Sequence, residues 1–211
     1  MPIVNDHFRA ASGASRFDMH PVYNATLGIC SAKGEVFITV TEKDRVVWQD
    51  HRMNIITLDA GILAAILLRD PASRTNGMNM LAVGTGATGA LLSPDAPDSR
   101  QRKLNAEIAR KPFSTTTFRD GSGNAVAIPT NIVDFTCTFD EGEAVGPLNE
   151  MGILSTISAN PSSTNPNPNT FPTRDTTVDL TIYDILVNYL TFAVLSIPAT
   201  ARLSITWRIT F

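Results

Sequence analysis

The last nine residues, Leu203 to Phe211, constrain the fold more than any other stretch of this sequence. Apolar side chains occupy every second position and polar residues fill the gaps, which is the period-2 pattern of a strand with one buried face. Chain ends fray unless they are held, so an aromatic end after a β-branched run predicts a strand that is paired along its whole length. We expect a central strand of a β-sandwich, with Trp207 buried in the core.

The same alternation predicts further strands. Residues 35–50 are typical of a hairpin, with polar residues 41–44 at its turn. Residues 131–139 alternate as clearly and place Cys137 among the apolar side chains of one face. Shorter or less regular strand candidates are residues 78–83, 113–119, 125–128, 149–154 and 180–195.

One substantial helix is predicted over residues 55–69, where the alanine and leucine content and the apolar spacing suit a helix buried on most of its surface. Thr57 or Asp59 is its expected cap, and Pro71 stops it. Residues 104–110 are expected to form one or two further helical turns. Together these elements predict a mainly β fold, an antiparallel β-sandwich with one helix and long loops.

The sequence divides into an N-terminal extension, residues 1–34, and a single β-sandwich domain, residues 35–211. The extension has no sustained period and carries scattered aromatic residues, among them Phe8, Phe17 and Tyr23. Two interpretations of the extension stay open, a disordered tail and an arm that docks on a neighbouring subunit, and the aromatic residues favour the arm.

Composition narrows the class of protein. The 211 residues have a charged fraction of 18% and a net charge of −3, which indicates neither a nucleic-acid nor a membrane partner. The start lacks the basic and apolar pattern of a signal peptide, and the apolar run 60–68 is far shorter than the roughly 20 residues that span a bilayer. We expect a protein made in the cytosol, with Cys137 as a small buried side chain and a pairing with Cys30 left open.

Gly84, Gly86 and Gly89 match the G-x-G-x-x-G fingerprint of dinucleotide-binding proteins and follow a strand candidate. In those proteins a helix begins at the motif, because its N-terminus receives the pyrophosphate. Here Pro94 and Pro97 follow within a few residues and disfavour that helix. A loop built from glycines is the preferred interpretation, nucleotide binding is the minor alternative, and no cofactor is expected.

No other pattern favours catalysis. His7, His20 and His51 have no second ligand at metal-binding spacing, and no Ser, Cys or Thr lies in a nucleophile motif. Acidic residues 140–143 are typical of a solvated loop, whereas Glu150 precedes an apolar strand and is expected to accept hydrogen bonds from the backbone or from Arg. We therefore predict a protein that is not an enzyme, with no catalytic, cofactor-binding or metal-binding residues.

The most basic segment lies between residues 100 and 111. Its basic members are Arg100, Arg102, Lys103, Arg110 and Lys111. Aromatic side chains are not interleaved, and Glu107 lies inside the segment, so it indicates a solvated face or a salt-bridging interface rather than a nucleic-acid site.

Several short segments, taken in order, resemble a family of tailed-bacteriophage virion structural proteins of the tail-fibre, baseplate or collar-associated type. The matching segments are His51-x-x-Asn54-x-Ile56-x-x-Asp59-Ala60-Gly61, Met80-Leu81-Ala82-Val83-Gly84-Thr85-Gly86, Leu104-x-x-Glu107-Ile108-x-Arg110, Leu148-Asn149-Glu150-Met151-Gly152-Ile153-Leu154, Tyr189-Leu190-Thr191-Phe192 and Ile205-Thr206-Trp207-Arg208-Ile209-Thr210-Phe211. Their order and spacing over about residues 35–211 carry the resemblance.

The resemblance implies a non-enzymatic structural subunit of a tailed-phage particle, at the neck or collar, the tail, or the baseplate and fibre attachment. Such a subunit is assembled into the virion in the host cytoplasm and works by contacts with copies of itself and with other virion proteins. A small-molecule ligand is not expected. The candidate structural or interface residues are Phe8, Phe17, Tyr23, Glu107, Arg110, Glu150, Phe171 and Trp207.

Residues 155–177 carry four prolines among Asn, Ser and Thr, and they predict a long projecting loop. We hypothesise that this loop or residues 1–34 contact another subunit. The loop also motivates an alternative function, a receptor- or glycan-binding module of the tail, because β-sandwiches often present ligands on loops and Phe171 is an aromatic residue in this one. A capsid decoration protein is a further structural alternative.

Overall fold

A computed structural model describes residues 32–70, 77–156 and 184–211. Several sequence-based predictions concern residues outside these ranges. They are the predictions for Phe8, Phe17, Tyr23, Cys30, Pro71 and Phe171, for most of the extension 1–34, and for residues 157–177 of the projecting loop.

The described residues form strands and one helix, and the strands predominate, as the sequence predicts. The strands are β1 (Lys33–Glu42), β2 (Arg45–Met53), β3 (Ile55–Ile56), β4 (Met80–Gly84), β5 (Gly89–Ala90), β6 (Ser93–Pro94), β7 (Glu107–Pro112), β8 (Thr115–Arg119), β9 (Ala125–Val126), β10 (Ile132–Phe139), β11 (Gly146–Ser155), β12 (Ile185–Ile197) and β13 (Ala201–Thr210). The helix is α1 (Leu58–Arg69).

The first sheet has the strand order β2-β1-β13-β10-β8-β9, and the C-terminal strand lies near its centre. β13 pairs antiparallel with β1 from Lys33 opposite Thr210 to Glu42 opposite Ala201, and with β10 on its other side. Trp207 is fully buried in the core. The prediction of a central strand paired along its length is therefore confirmed.

The second sheet has the strand order β3-β12-β11-β4-β7, and the apolar face that it turns to the first sheet joins one shared core cluster. Its other side carries a smaller apolar cluster that includes Leu104, Leu154 and Tyr189. β4 and most of β11 are consequently buried on both sides. This accounts for their nearly continuous apolar sequences, because alternation appears only where one face of a strand meets water.

Residues 104–110 correct one prediction, since they form no helical turns and instead enter strand β7, which pairs with β4. The register shifts between Val83 and Gly84, so that Glu107 lies opposite Gly84 while Arg110 lies opposite Ala82. This bulge brings Glu107 and Arg110 onto one face of the strand although they are three residues apart. Two residues three positions apart therefore share a face here, as they would in a helix, although the segment is a strand.

The helix differs from its prediction in two ways. It begins at Leu58, because Ile55 and Ile56 pair with β12 as strand β3, and the Thr57 side chain caps it by accepting a hydrogen bond from Ala60 N. It is also not buried on most of its surface, since only Asp59 and Leu63 among its residues are buried. The apolar composition of α1 thus exceeds what packing within the described residues uses.

Candidate functional site

Glu150 lies on the outer side of the second sheet, where β11 places it opposite Gly84, and it is fully buried. Its Oε1 accepts hydrogen bonds from Gly86 N at 3.0 Å and Ala106 N at 2.8 Å. Its Oε2 accepts from Asn105 N at 3.0 Å and from the Tyr189 hydroxyl at 2.8 Å. The sequence predicted an accepting role for Glu150, and the structure shows that all four donors are neutral.

Two glycines of the G-x-G-x-x-G segment, Gly84 and Gly86, leave the space that the hydrogen bonds of Glu150 require. A Cβ on Gly84 would come within 2.5 Å of Ala106 O and 2.7 Å of Glu150 Oε1, and one on Gly86 would come within 2.4 Å of Ala106 N. Both positions therefore require glycine so that two backbone segments can approach the carboxylate. After Gly89 the chain forms the short strands β5 and β6 rather than a helix, as the prolines predicted.

Arg110 joins two acidic residues in a buried ion cluster beside Glu150. Its Nη2 donates to Glu107 Oε2 at 2.8 Å, its Nε also donates to Glu107, and its Nη1 donates to Asp184 Oδ2 at 2.9 Å. Burial raises the pKa of Glu107 and outweighs the opposite effect of its hydrogen bonds with Arg110. Burial lowers the pKa of Arg110, but its hydrogen bonds with Glu107 and Asp184 leave it raised overall.

Burial disfavours ionisation of two further groups, the Tyr189 hydroxyl and the Cys137 thiol. Burial, followed by the neighbouring Glu150 carboxylate, raises the pKa of the Tyr189 hydroxyl far above its usual range. Burial raises the pKa of the Cys137 thiol to about 12, so the thiol stays protonated and Cys137 acts as a small apolar side chain. The group around Glu150 and Arg110 is thus a satisfied polar network that holds strands together.

A second polar group lies on the outer side of the first sheet, and sequence reasoning missed it. Asp134 is 2% exposed, and its Oδ1 accepts from Arg208 Nε at 2.7 Å while its Oδ2 accepts from Arg119 Nε at 2.8 Å. The Arg208 guanidinium lies 5.4 Å from the centroid of the Phe37 ring, which stacks on His51. The register between β10 and β13 places Asp134 directly opposite Arg208. That register is the only signal of this pair.

The basic segment consists largely of paired charges, in agreement with the salt-bridging interpretation. Arg100 pairs with Asp98, and Arg102 Nε lies 3.2 Å from Asp59 Oδ2 at the start of α1. Lys111 bridges the acidic loop, since its Nζ lies 3.0 Å from an Asp140 oxygen and 2.6 Å from a Glu143 oxygen. These pairs tie the segment to the acidic loop and to α1.

The structure separates the candidate residues into two groups. Glu107, Arg110, Glu150 and Trp207 have their side chains buried inside the domain, so their contacts are with this chain. Phe8, Phe17, Tyr23 and Phe171 lie outside the described residues. None of these four described candidates has its side chain on the surface, and the exposed apolar residues of the described chain were not among the candidates.

One exposed apolar surface lies on α1. We call it the apolar face of α1 and define it by Leu58, Gly61, Ile62, Ala65 and Leu68. All five residues are exposed, and Leu68 is 88% exposed. A Cβ added to Gly61 would have no atom of the described residues within 4 Å, so those residues give no packing reason for that glycine. The sequence held a signal for this surface. Asp59 and Arg69 are the only charged residues of α1, so the side of the helix that faces water must be largely apolar.

Other kinds of site lack support in the part of the chain that the structure describes. There, no group of three or more His, Cys, Asp or Glu residues could hold a metal ion. None of the helical residues described forms a segment both long and apolar enough to cross a bilayer.

Comparison of the sequence with protein-family models and with curated proteins finds no match.

Proposed function

We propose that this chain is a non-enzymatic structural subunit that works by self-association through the apolar face of α1. The single observation that carries the proposal is the exposure of that face. A helix that is apolar on all sides is ordinarily buried, and contiguous exposed apolar residues on a soluble domain mark a protein contact. Leu58, Ile62 and Leu68 form such a surface on one side of α1.

A second copy of the same chain is the partner that fits this surface. Gly61 and Ala65 are small and lie one turn apart between larger side chains, so the face offers both a groove and ridges. Two copies related by a two-fold axis can insert Ile62 and Leu68 of each helix beside the small residues of the other. The chain's net charge of −3 opposes this association only weakly.

We further propose that the assembly belongs to a tailed-phage particle, at the neck or collar, the tail, or the baseplate and fibre attachment. What supports this part is the resemblance of the ordered sequence segments, together with a mainly β domain that has an uncovered apolar helix face. The location then is the virion, and the partners are copies of the chain and other virion proteins.

The self-association proposal is tested by sedimentation of the full chain over a range of concentrations. Wild type is expected to form oligomers, and Leu68→Glu is expected to shift it towards monomer, because a buried unpaired carboxylate opposes the contact. Ile128→Glu is the matched control, since Ile128 is 76% exposed and is not part of α1. A wild type that stays monomeric throughout, or a Leu68→Glu variant that assembles as well as Ile128→Glu, contradicts the proposal.

The particle proposal needs a separate measurement. Antibody labelling of intact phage particles in electron micrographs is expected to place the chain at the neck, tail or baseplate. Label on the capsid surface alone supports the decoration-protein alternative instead, and an unlabelled particle that lacks the chain contradicts a virion role.

A further inference from the structure

An apolar pocket with a volume of about 390 Å³ lies between α1 and the core-facing side of the sheets. Ala60, Leu63, Ala64 and Leu67 line it from the helix, and Val187 and Asn188 line it from β12. Ala64 is exposed, so the pocket reaches the surface at this point. An apolar cavity of about 150 Å³ accommodates benzene, and this pocket has room for a longer aliphatic molecule.

Asn188 is the polar exception in this pocket. It is fully buried, and within the described part of the chain neither its Oδ1 nor its Nδ2 has a hydrogen-bond partner. An amide buried in this way costs free energy for each unpaired group, and native structures contain few of them. A ligand that supplies both a donor and an acceptor would remove that cost.

The backbone explains why this amide faces the pocket. Asn188 lies directly opposite Ile153, a core residue, and directly opposed side chains share a face of the sheet. The register shifts between Ile153 and Leu154, so both Val187 and Asn188 line the pocket although they are neighbours in sequence. Thr57 holds this bulge, because its backbone N–H donates to Val187 O at 2.9 Å.

The chemistry of the lining selects the class of ligand. Among the described residues that line the pocket there is no charged side chain, so a carboxylate or an ammonium group would enter without a counter-charge. The Asn188 amide offers one acceptor and two donor positions, which a carboxamide or a hydroxyl group complements. We propose that this pocket binds an uncharged amphiphile, an aliphatic chain that ends in a carboxamide or a hydroxyl group paired with Asn188.

This site is distinct from the proposed self-association surface. Successive residues of a helix are about 100° apart around its axis. Ala60 and Leu67 therefore lie on a different flank of α1 from Gly61, Ala65 and Leu68, whereas Ala64 borders both, three residues after Gly61 and four before Leu68. Binding in the pocket and association through the apolar face can consequently be changed by separate substitutions.

The proposal is tested on the full chain with octanamide, octanol and octanoate at pH 8, by isothermal titration calorimetry and by the thermal unfolding midpoint. Octanamide and octanol are expected to bind saturably and to raise the midpoint with concentration, as any ligand of the native state does. Octanoate is expected to bind at least about tenfold more weakly, because its charge lacks a partner. If octanamide does not bind saturably, the proposal is overturned. This holds also when binding fails because another part of the chain fills the pocket.

Two variants assign the binding to this pocket. Asn188→Leu keeps the side-chain size but removes the amide, and octanamide is expected to bind it at least about tenfold more weakly. Ala64→Trp is expected to close the pocket and abolish binding, whereas Ala65→Trp, one residue along the helix, leaves binding unchanged. If Ala64→Trp does not fold, Ala60→Leu fills the pocket from within. Wild-type affinity in Asn188→Leu, or in a folded pocket-filling variant, overturns the proposal.

Discussion

Glu150 accepts four hydrogen bonds from neutral donors. Three of the donors are backbone N–H groups, one in the segment after β4 and two in the segment before β7. In Glu150→Gln one carboxylate oxygen becomes an NH₂ group that faces other donors, so at least one buried N–H loses its acceptor. We expect the free energy of unfolding to fall by about 2–4 kcal/mol in equilibrium urea denaturation.

The matched control for Glu150→Gln is Glu141→Gln, since Glu141 is exposed in the acidic loop. That change is expected to alter the free energy of unfolding by no more than about 0.5 kcal/mol. Equal effects of the two substitutions would show that the hydrogen bonds of Glu150 do not stabilise the fold.

Asp134 predicts a dependence of stability on pH. Burial raises the pKa of its carboxyl, but hydrogen bonds from Arg208 and Arg119 outweigh burial and hold the pKa below its ordinary value. The stabilisation is therefore fully present above the unfolded-state pKa of about 3.9 and is lost as the pH falls through the lower folded-state pKa. Asp134→Asn is expected to be less stable than wild type at pH 7 and to lose less stability on acidification.

Urea denaturation of both proteins between neutral and acidic pH measures this difference. Glu107, with its raised pKa, contributes the opposite slope, because its stabilisation is present at low pH and is lost as the pH rises. The difference between wild type and Asp134→Asn isolates Asp134 from this effect. Parallel curves for the two proteins would mean that the arginines do not stabilise the charged carboxylate.

At the scale of elements, α1 contains a glycine, Gly61, for which the described residues give no packing reason. Because a Cβ on Gly61 meets open space, Gly61→Ala is expected to raise the free energy of unfolding of the dilute subunit by about 0.5–1 kcal/mol. The same methyl group lies on the apolar face of α1 and is expected to weaken self-association. Chemical denaturation and sedimentation measure the two effects, and a loss of stability at high dilution would contradict the open environment of Gly61.

Strand β7 shows where element prediction from the sequence fails. Glu107 and Arg110 are three residues apart, which suits an ion pair on a helix, and the apolar residues nearby do not alternate. The strand forms because β4 offers an unpaired edge and because the bulge beside Gly84 lets Glu107 and Arg110 share one face. Pairing between distant segments overrides weak local preference, so residues 104–110 alone do not reveal this strand.

For the domain as a whole, the position of β13 predicts how stability is distributed. β13 is hydrogen-bonded to β1 on one side and to β10 on the other, whereas β2 lies at the edge of the same sheet. Amides of β13 are expected to exchange with deuterium more slowly than those of β2, because central strands open only with global unfolding. Exchange of β13 as fast as that of β2 in mass spectrometry would contradict this arrangement.

The sequence by itself determined the features that depend on a few neighbouring residues. The alternation of residues 203–211 and 131–139 and the hairpin over 35–50 are set by local periodicity. A cap at Thr57 or Asp59 was predicted from side-chain type alone, and the structure shows that Thr57 is the cap. Glu150 was also recognisable as an acceptor, because a lone acidic residue before an apolar strand requires donors.

Only the tertiary structure decided which donors Glu150 meets, that both sides of β4 and β11 are covered, and that Asn188 faces an apolar pocket. These features depend on strand register and on bulges that join segments far apart in the chain, such as β11 with β4 and β12 with β3. The exposed face of α1 belongs with them. Local composition predicted a buried helix, and whether such a helix is covered depends on what packs against it.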